Sequence, residues 1–234
     1  MKKVAILQSN YIPWKGVFDM INQVDVFVFF EDVDFTRRDW RTRNKIKTPN
    51  GDIWLTIPVK KSPRGTKIYE IEIADETGWQ ENHYKTLVQY YKKAKSFESY
   101  SFLLEKIYKE NTWKNLSDFN IYTTQLIATT LGIKTEFVNS KNLDAEGSKD
   151  SKLIEICKKL DANYYLSGPA AKSYIDNNKF KNEGIKLAYM NYKYPEYQQL
   201  YGEFNHYISV LDVLFNCGDD AKKMIFMNNA DEVE

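Results

Sequence analysis

Two short apolar runs open the chain, Val4-Ala5-Ile6-Leu7 and Val26-Phe27-Val28-Phe29-Phe30. Both are β-branched or aromatic, as buried parallel strands are. Between them Val17, Phe18, Ile21 and Val24 recur at helical spacing and predict an amphipathic helix. The order strand, loop, helix, strand, joined by a right-handed crossover, puts both strand C-termini on one edge of a parallel sheet. Ligands of open α/β sheets bind on that edge. Gln8, the Tyr11 to Gly16 loop, Asp32 and the arginine-rich loop from Phe35 to Lys45 are expected to meet there.

The alternation then changes. Arg43 to Thr48 and Asp52 to Val59 predict a β-hairpin about Thr48-Pro49-Asn50-Gly51, because Asn-Gly is a strong turn signal. Ile68 to Ile73 alternates apolar residues with acids and predicts a further strand. From Glu76 to Gly132 the spacing becomes helical, with helices over 79–94, 97–108 and from about Ser117, the last closed by Gly132 as C-cap. Lys134 to Asn139 predicts a strand, and Ser148 an N-cap. Leu153, Ile156, Cys157 and Leu160 predict the helix behind it. A strand Tyr164 to Leu166, a loop Ser167 to Lys172, a helix to about Asn178 and a strand Ile185 to Tyr189 complete a second α/β half. Tyr207 to Asn216 predicts an amphipathic helix ended by Gly218.

The fold class expected is α/β: a Rossmann-like parallel or mixed sheet with flanking helices, an N-terminal β-hairpin insertion and a helical layer in the middle. Residues 1–218 are expected to form one domain with a helical insertion at about 76–132, and 219–234 a frayed acidic tail.

Composition narrows the function. The 234 residues carry 33 basic and 32 acidic side chains, so no global field marks a nucleic-acid or membrane-surface binder. The 17 Tyr exceed what a core accommodates without polar partners; they suit a cleft or a homodimer interface. Two cysteines, Cys157 and Cys217, make no disulfide framework. With no signal peptide and no apolar run of about 20 residues, a cytoplasmic protein without a membrane segment is expected.

Three loops carry candidate chemistry. Tyr11 to Gly16 leads into a helix, where backbone amides and Lys15 suit an anion. Arg37, Arg38, Arg41, Arg43, Lys45 and Lys47, interleaved with Phe35 and Trp40, suit phosphate and a stacked ring. Ser167, Gly168 and Lys172 form a second loop at a strand end. His83 is the best acid/base candidate by chemistry. Two histidines and no cysteine pair at ligand spacing argue against a zinc site.

Several motifs recur in an order that resembles one family. They are Gln8-x-x-Tyr11-x-Pro13-Trp14-x-Gly16, Asp32-Val33-Asp34-Phe35, Trp40-Arg41-Thr42-Arg43-Asn44-Lys45-Ile46 and Trp54 to Val59. Trp79 with His83, Tyr165-Leu166-Ser167-Gly168 and Ser209 to Asp212 continue the series. On these the chain resembles the WbqC-like family. That family is associated with bacterial surface-polysaccharide (O-antigen) gene clusters, and transfer of an amino acid, glycine in particular, to an amino sugar has been suggested for it. The opening order is also similar to the nucleotidyltransferase fold, whose His-x-Gly-His motif grips ATP phosphates. Pro13-Trp14-Lys15-Gly16-Val17 contains no histidine, so Lys15 and the arginines would have to replace that charge.

The resemblance implies a transferase of glycan precursor assembly that joins an acyl or aminoacyl group to a nucleotide-linked amino sugar. Gln8, Tyr11, Trp14, Lys15, Phe35, Trp40, Arg43, Asn44, Lys45, Ser167, Gly168 and Lys172 are the expected substrate-binding residues, with His83 or Asp32 as the base. No cofactor is expected unless a nucleoside triphosphate brings Mg²⁺. Rival readings are an ATP-using adenylyltransferase, a non-catalytic sugar-nucleotide binder, and RNA binding with steep salt dependence.

Overall fold

The computed structural model describes residues 1–233; Glu234 lies outside the described residues, and with it the last residue of the expected tail. The chain forms a mixed α/β fold with a six-stranded sheet and a separate two-stranded hairpin. The opening strands are β1 (Lys3–Leu7) and β2 (Val26–Phe29), joined by helix α1 (Lys15–Asn22). The hairpin is β3 (Arg43–Thr48) with β4 (Gly51–Thr56). Four helices follow: α2 (Trp79–Tyr91), α3 (Phe97–Tyr100), α4 (Phe102–Tyr108) and α5 (Leu116–Thr130). Then come β5 (Glu136–Asn139), α6 (Lys149–Lys159), β6 (Tyr164–Ser167), α7 (Asn177–Asn182) and β7 (Lys186–Met190). Helices α8 (Val210–Cys217) and α9 (Ala221–Ile225) and strand β8 (Ala230–Glu232) close the described chain.

The sheet order is β5-β2-β1-β6-β7-β8. Its first five strands are parallel, and only β8 runs antiparallel, on β7. Alternation along the strands divides the core between two faces. Ala5, Phe27, Phe29, Leu166 and Ala188 pack toward α1, α8 and the α2–α5 helices. Val4, Ile6, Val26, Val28, Tyr165 and Leu187 pack toward α6 and α7.

Most helix boundaries have visible local causes. Asn115 caps α5 by accepting from the Asp118 amide at 3.1 Å. At its other end Gly132 has φ +75°, and Ile133 reaches back to the Ala128 carbonyl at 3.0 Å, the αL closure expected there.

Four expectations need correction. Ile68 to Ile73 is not a strand: Ile68–Glu70 is a 3-10 turn, in which the Glu70 carboxylate accepts from the Lys67 amide at 2.8 Å. The turn buries Ile68, Ile71 and Ile73 without a ladder. The 97–108 helix breaks into α3 and α4 about Ser101. The helix expected after Lys172 and ending at about Asn178 starts only where it was expected to end: the loop holds a 3-10 turn, Pro169–Ser173, and α7 begins at Asn177, where Asp176 caps it by accepting from the Asn178 amide at 3.0 Å. The tail is not frayed over its described length: Ala221 and Ile225 are fully buried, and β8 pairs with β7.

Candidate functional site

The chain leaves β1 through α1 to β2 on one side, and β6 later pairs with β1 on the other. Strand order therefore reverses between β1 and β6, and the crevice beyond their carboxyl ends is where open α/β sheets take ligands. Two chambers lie there, divided by a saddle of Leu7, Gly168 and Ala170 that lines both.

The first chamber encloses about 540 Å³ and is aromatic. Trp14, Trp40, Tyr192 and Tyr207 line it, together with Asn10, Pro13 and Asn44. Trp14 sits at the β1–α1 junction, edge-on to Tyr192 at 4.8 Å and tilted against Tyr207 at 5.6 Å. Gly16 makes room for this indole: a Cβ there would meet the Trp14 ring at 2.3 Å. Trp40 is half exposed and packs tilted against Trp54, with ring centroids 5.4 Å apart. The Arg43 guanidinium lies 4.3 Å and the Lys45 ammonium 5.2 Å from the Trp54 ring. The aromatic wall thus continues outward onto the hairpin as a cation-bearing platform.

The second chamber encloses about 490 Å³ and is more polar. Gln8 and Ser167 stand at the ends of β1 and β6, with Lys149, Asp150 and Tyr174 opposite. Among the described residues Asp150 is the one carboxylate lining either chamber. Its Oδ2 accepts from Lys179 Nζ at 3.2 Å and from the Asp176 amide at 3.4 Å. Lys149 is held at φ +50°, strained for a residue with a Cβ.

Of the expected site residues, Gln8, Trp14, Trp40, Asn44, Ser167 and Gly168 do line the crevice. Asn44 serves it indirectly, since its amide donates to the Ile12 carbonyl at 2.8 Å and to Tyr11 at 3.3 Å. Those bonds hold the β1–α1 loop, where buried Ile12 has φ +31°, costly for a β-branched residue.

The others do not reach the crevice. Tyr11 and His83 lie behind the loop in an aromatic cluster with Trp79, Tyr108 and Phe119. The Tyr11 hydroxyl is 2.7 Å from His83 Nδ1 and 2.6 Å from the Tyr108 hydroxyl. The Thr56 carbonyl accepts from the imidazole. Nδ1 is then the ring's acceptor, Tyr11 donates to it, and Tyr108 donates to Tyr11. Burial lowers the His83 pKa to about 4, so it is a neutral core residue near pH 7 rather than a poised base. Asp32 is committed to Lys152 at 2.5 Å and to the Ser140 hydroxyl. Phe35 packs against the core, and Lys172 lines neither chamber and lies 3.9 Å from Asp231. Lys15 turns away from the crevice into its own enclosure and is 2% exposed.

Asn10, Lys149, Asp150, Tyr174, Tyr192 and Tyr207 were missed in the sequence. The tyrosine surplus hinted at an aromatic cleft, but no local pattern identified which tyrosines. Among the described residues no group of His, Cys, Asp or Glu could hold a metal ion, and no helix is long and apolar enough to cross a membrane.

The profile of the WbqC-like protein family matches residues 8–224, which carry every lining residue of the crevice except Ile6 and Leu7 on β1. The chain is also 40% identical over 222 residues to "Uncharacterized protein Rv1507c" of Mycobacterium tuberculosis (strain ATCC 25618 / H37Rv), covering 94% of this chain and 96% of the relative. No solved structure gives a significant match. With the β1–α1 loop, strands β2, β5, β6 and β7 and the β6 loop all inside the matched region, the chain belongs to the WbqC-like protein family.

Proposed function

We propose that the crevice binds a nucleotide-linked amino sugar and that the protein acylates its amine in glycan precursor assembly. The observation that carries the reading is the aromatic chamber at the strand-order reversal, continued by the Trp54–Arg43–Lys45 platform. Stacked rings take the base, and the platform cations take the diphosphate. The sugar then reaches the Gly168 saddle, and Gln8 and Ser167 offer hydrogen bonds to its hydroxyl or amide groups.

An amine nucleophile loses a proton as the new amide forms. His83 and Asp32 are both committed elsewhere. Asp150 pairs with Lys179 at 3.2 Å but, unlike His83 and Asp32, lines the second chamber, and it becomes the acceptor in this reading. The donor, an activated acyl or aminoacyl ester or thioester, occupies the second chamber; its carbonyl–heteroatom bond breaks as the C–N bond forms, and the alcohol or thiol leaves with the proton that Asp150 passes to it. An adenylyltransferase gains no support, because Lys15 is buried away from the crevice. A purely binding role is favoured by the withdrawal of His83.

The first experiment is a thermal-shift series with nucleotide-amino sugars, nucleotides and ATP with Mg²⁺. Ligand at ~100 times its dissociation constant adds about 2.7 kcal/mol. A shift with nucleotide-amino sugars that is lost in Trp40→Ala supports the reading; no shift with any of them overturns it. Turnover retained in Asp150→Asn would remove the proposed acceptor, and binding without turnover would favour the binding module.

A further inference from the structure

Lys15 is a buried cation with no ion-pair partner among the described residues. Its Nζ lies 4.9 Å from the Tyr194 ring, 5.1 Å from Tyr197 and 5.6 Å from Phe204. Its one hydrogen bond, to the Pro195 carbonyl, is long at 3.4 Å. Buried lysines are rare unless paired, so this one needs a reason.

All four of those contacts come from one segment, the strap over 191–209 between β7 and α8. The same strap supplies Tyr192 and Tyr207 to the aromatic chamber. Long segments without regular structure are commonly functional. Among the described residues no backbone–backbone hydrogen bond involves 194–208. Side chains hold the strap instead. The Tyr194 hydroxyl donates to Asp19 at 3.0 Å, the Tyr197 hydroxyl to Asp212 at 2.8 Å, and Asn205 to Asp52 at 2.6 Å. A segment hung on side chains opens at lower free energy than a hydrogen-bonded strand.

We propose that Lys15 is a proton-linked latch of the crevice: closing the strap weakens the hold of the Lys15 amine on its proton, so losing that proton tightens the tyrosine wall and regaining it loosens the wall. The proposal rests on the ligand reading above only in calling the crevice a binding site. Burial lowers the amine to about 8 when the strap is closed, outweighing the raising effects of Cys217 and Asp212 on α8. An open strap exposes the amine to water, where a lysine titrates near ~10.4. Between these values the open state binds more protons, so closure strengthens as pH rises. Below them both states carry the ammonium, and the dependence on Lys15 vanishes. The closed-to-open ratio should therefore rise about tenfold from pH 7 to pH 9. His206 on the strap and Tyr194, Tyr197, Asp212 and Cys217 around the enclosure also titrate, so the amine must be isolated by substitution.

Hydrogen–deuterium exchange of the strap peptides, as protection factors across pH 7–9, tests this without a ligand. The wild type should gain about tenfold protection over that range. Lys15→Met should be protected at pH 7 with no such gain, and Lys15→Arg should stay weakly protected throughout. A flat wild-type profile, or an equal slope in Lys15→Met, overturns the latch. A flat profile in a protein that binds nucleotide sugars would leave the ligand reading standing. A sloped profile in a protein that binds none would uphold the latch and overturn the ligand reading.

Discussion

His83 shows how burial turns a candidate catalyst into a structural group. Its ring accepts from Tyr11 and donates to Thr56 inside an aromatic cluster. The cost of charging it there lowers its pKa from 6.5 to about 4. The unfolded chain then binds more protons than the folded one between those values. Stability is full above pH 6.5 and is lost as pH falls toward 4, on the order of 3 kcal/mol over the window. Urea unfolding between pH 4.5 and 7.5 should show this slope in the wild type and a flatter one in His83→Gln. Glutamine retains a donor and an acceptor but does not titrate. An unchanged slope in that variant would assign the acid sensitivity to other groups.

At the scale of elements, the acidic tail is the clearest reversal. Asp219 and Asp220 suggested a solvated end, yet the residues after them form α9 and β8. Apolar Ala221 and Ile225 sit one turn apart and are both fully buried. Ile225→Ala should cost about 2–5 kcal/mol, as core truncations do, and lower the melting temperature by several degrees. A frayed tail would show no change. The failed strand at Ile68 to Ile73 has the opposite lesson. Period-two alternation was present, but the Glu70 carboxylate captured the Lys67 amide and closed a turn first. Hairpin and helices were easier to read: the β3–β4 pair and the Gly132 closure are set by neighbours a few residues away.

The whole molecule brings the two chambers together only through Leu7, Gly168 and Ala170. A ligand spanning both must cross Gly168. An alanine Cβ at that position would come no nearer than 3.9 Å to the Tyr192 hydroxyl, an ordinary contact. Gly168→Ala should therefore keep ligand affinity, measured by titration calorimetry, whereas Gly168→Trp should lower it at least tenfold with little loss of melting temperature. Equal affinity in both variants would mean that the ligand stays in one chamber.

The α/β class, the β1–α1–β2 unit, the hairpin and the family were legible along the chain, because hydrophobic period, turn residues and motif spacing are local properties. The sequence also marked Gln8, Trp14, Trp40, Ser167 and Gly168, which stand at strand ends and in the loops beside them. Which polar residues face the crevice depended on tertiary packing. His83 and Lys15 look reactive in a line of text, and lose that character once rings close around them. Asp150, Tyr192 and Tyr207 carry no signal where they stand, and acquire one when α6 and the strap fold against the β1–β6 edge. Burial and proximity arise between residues tens of positions apart around His83 and more than 100 apart around Lys15, where no local period extends.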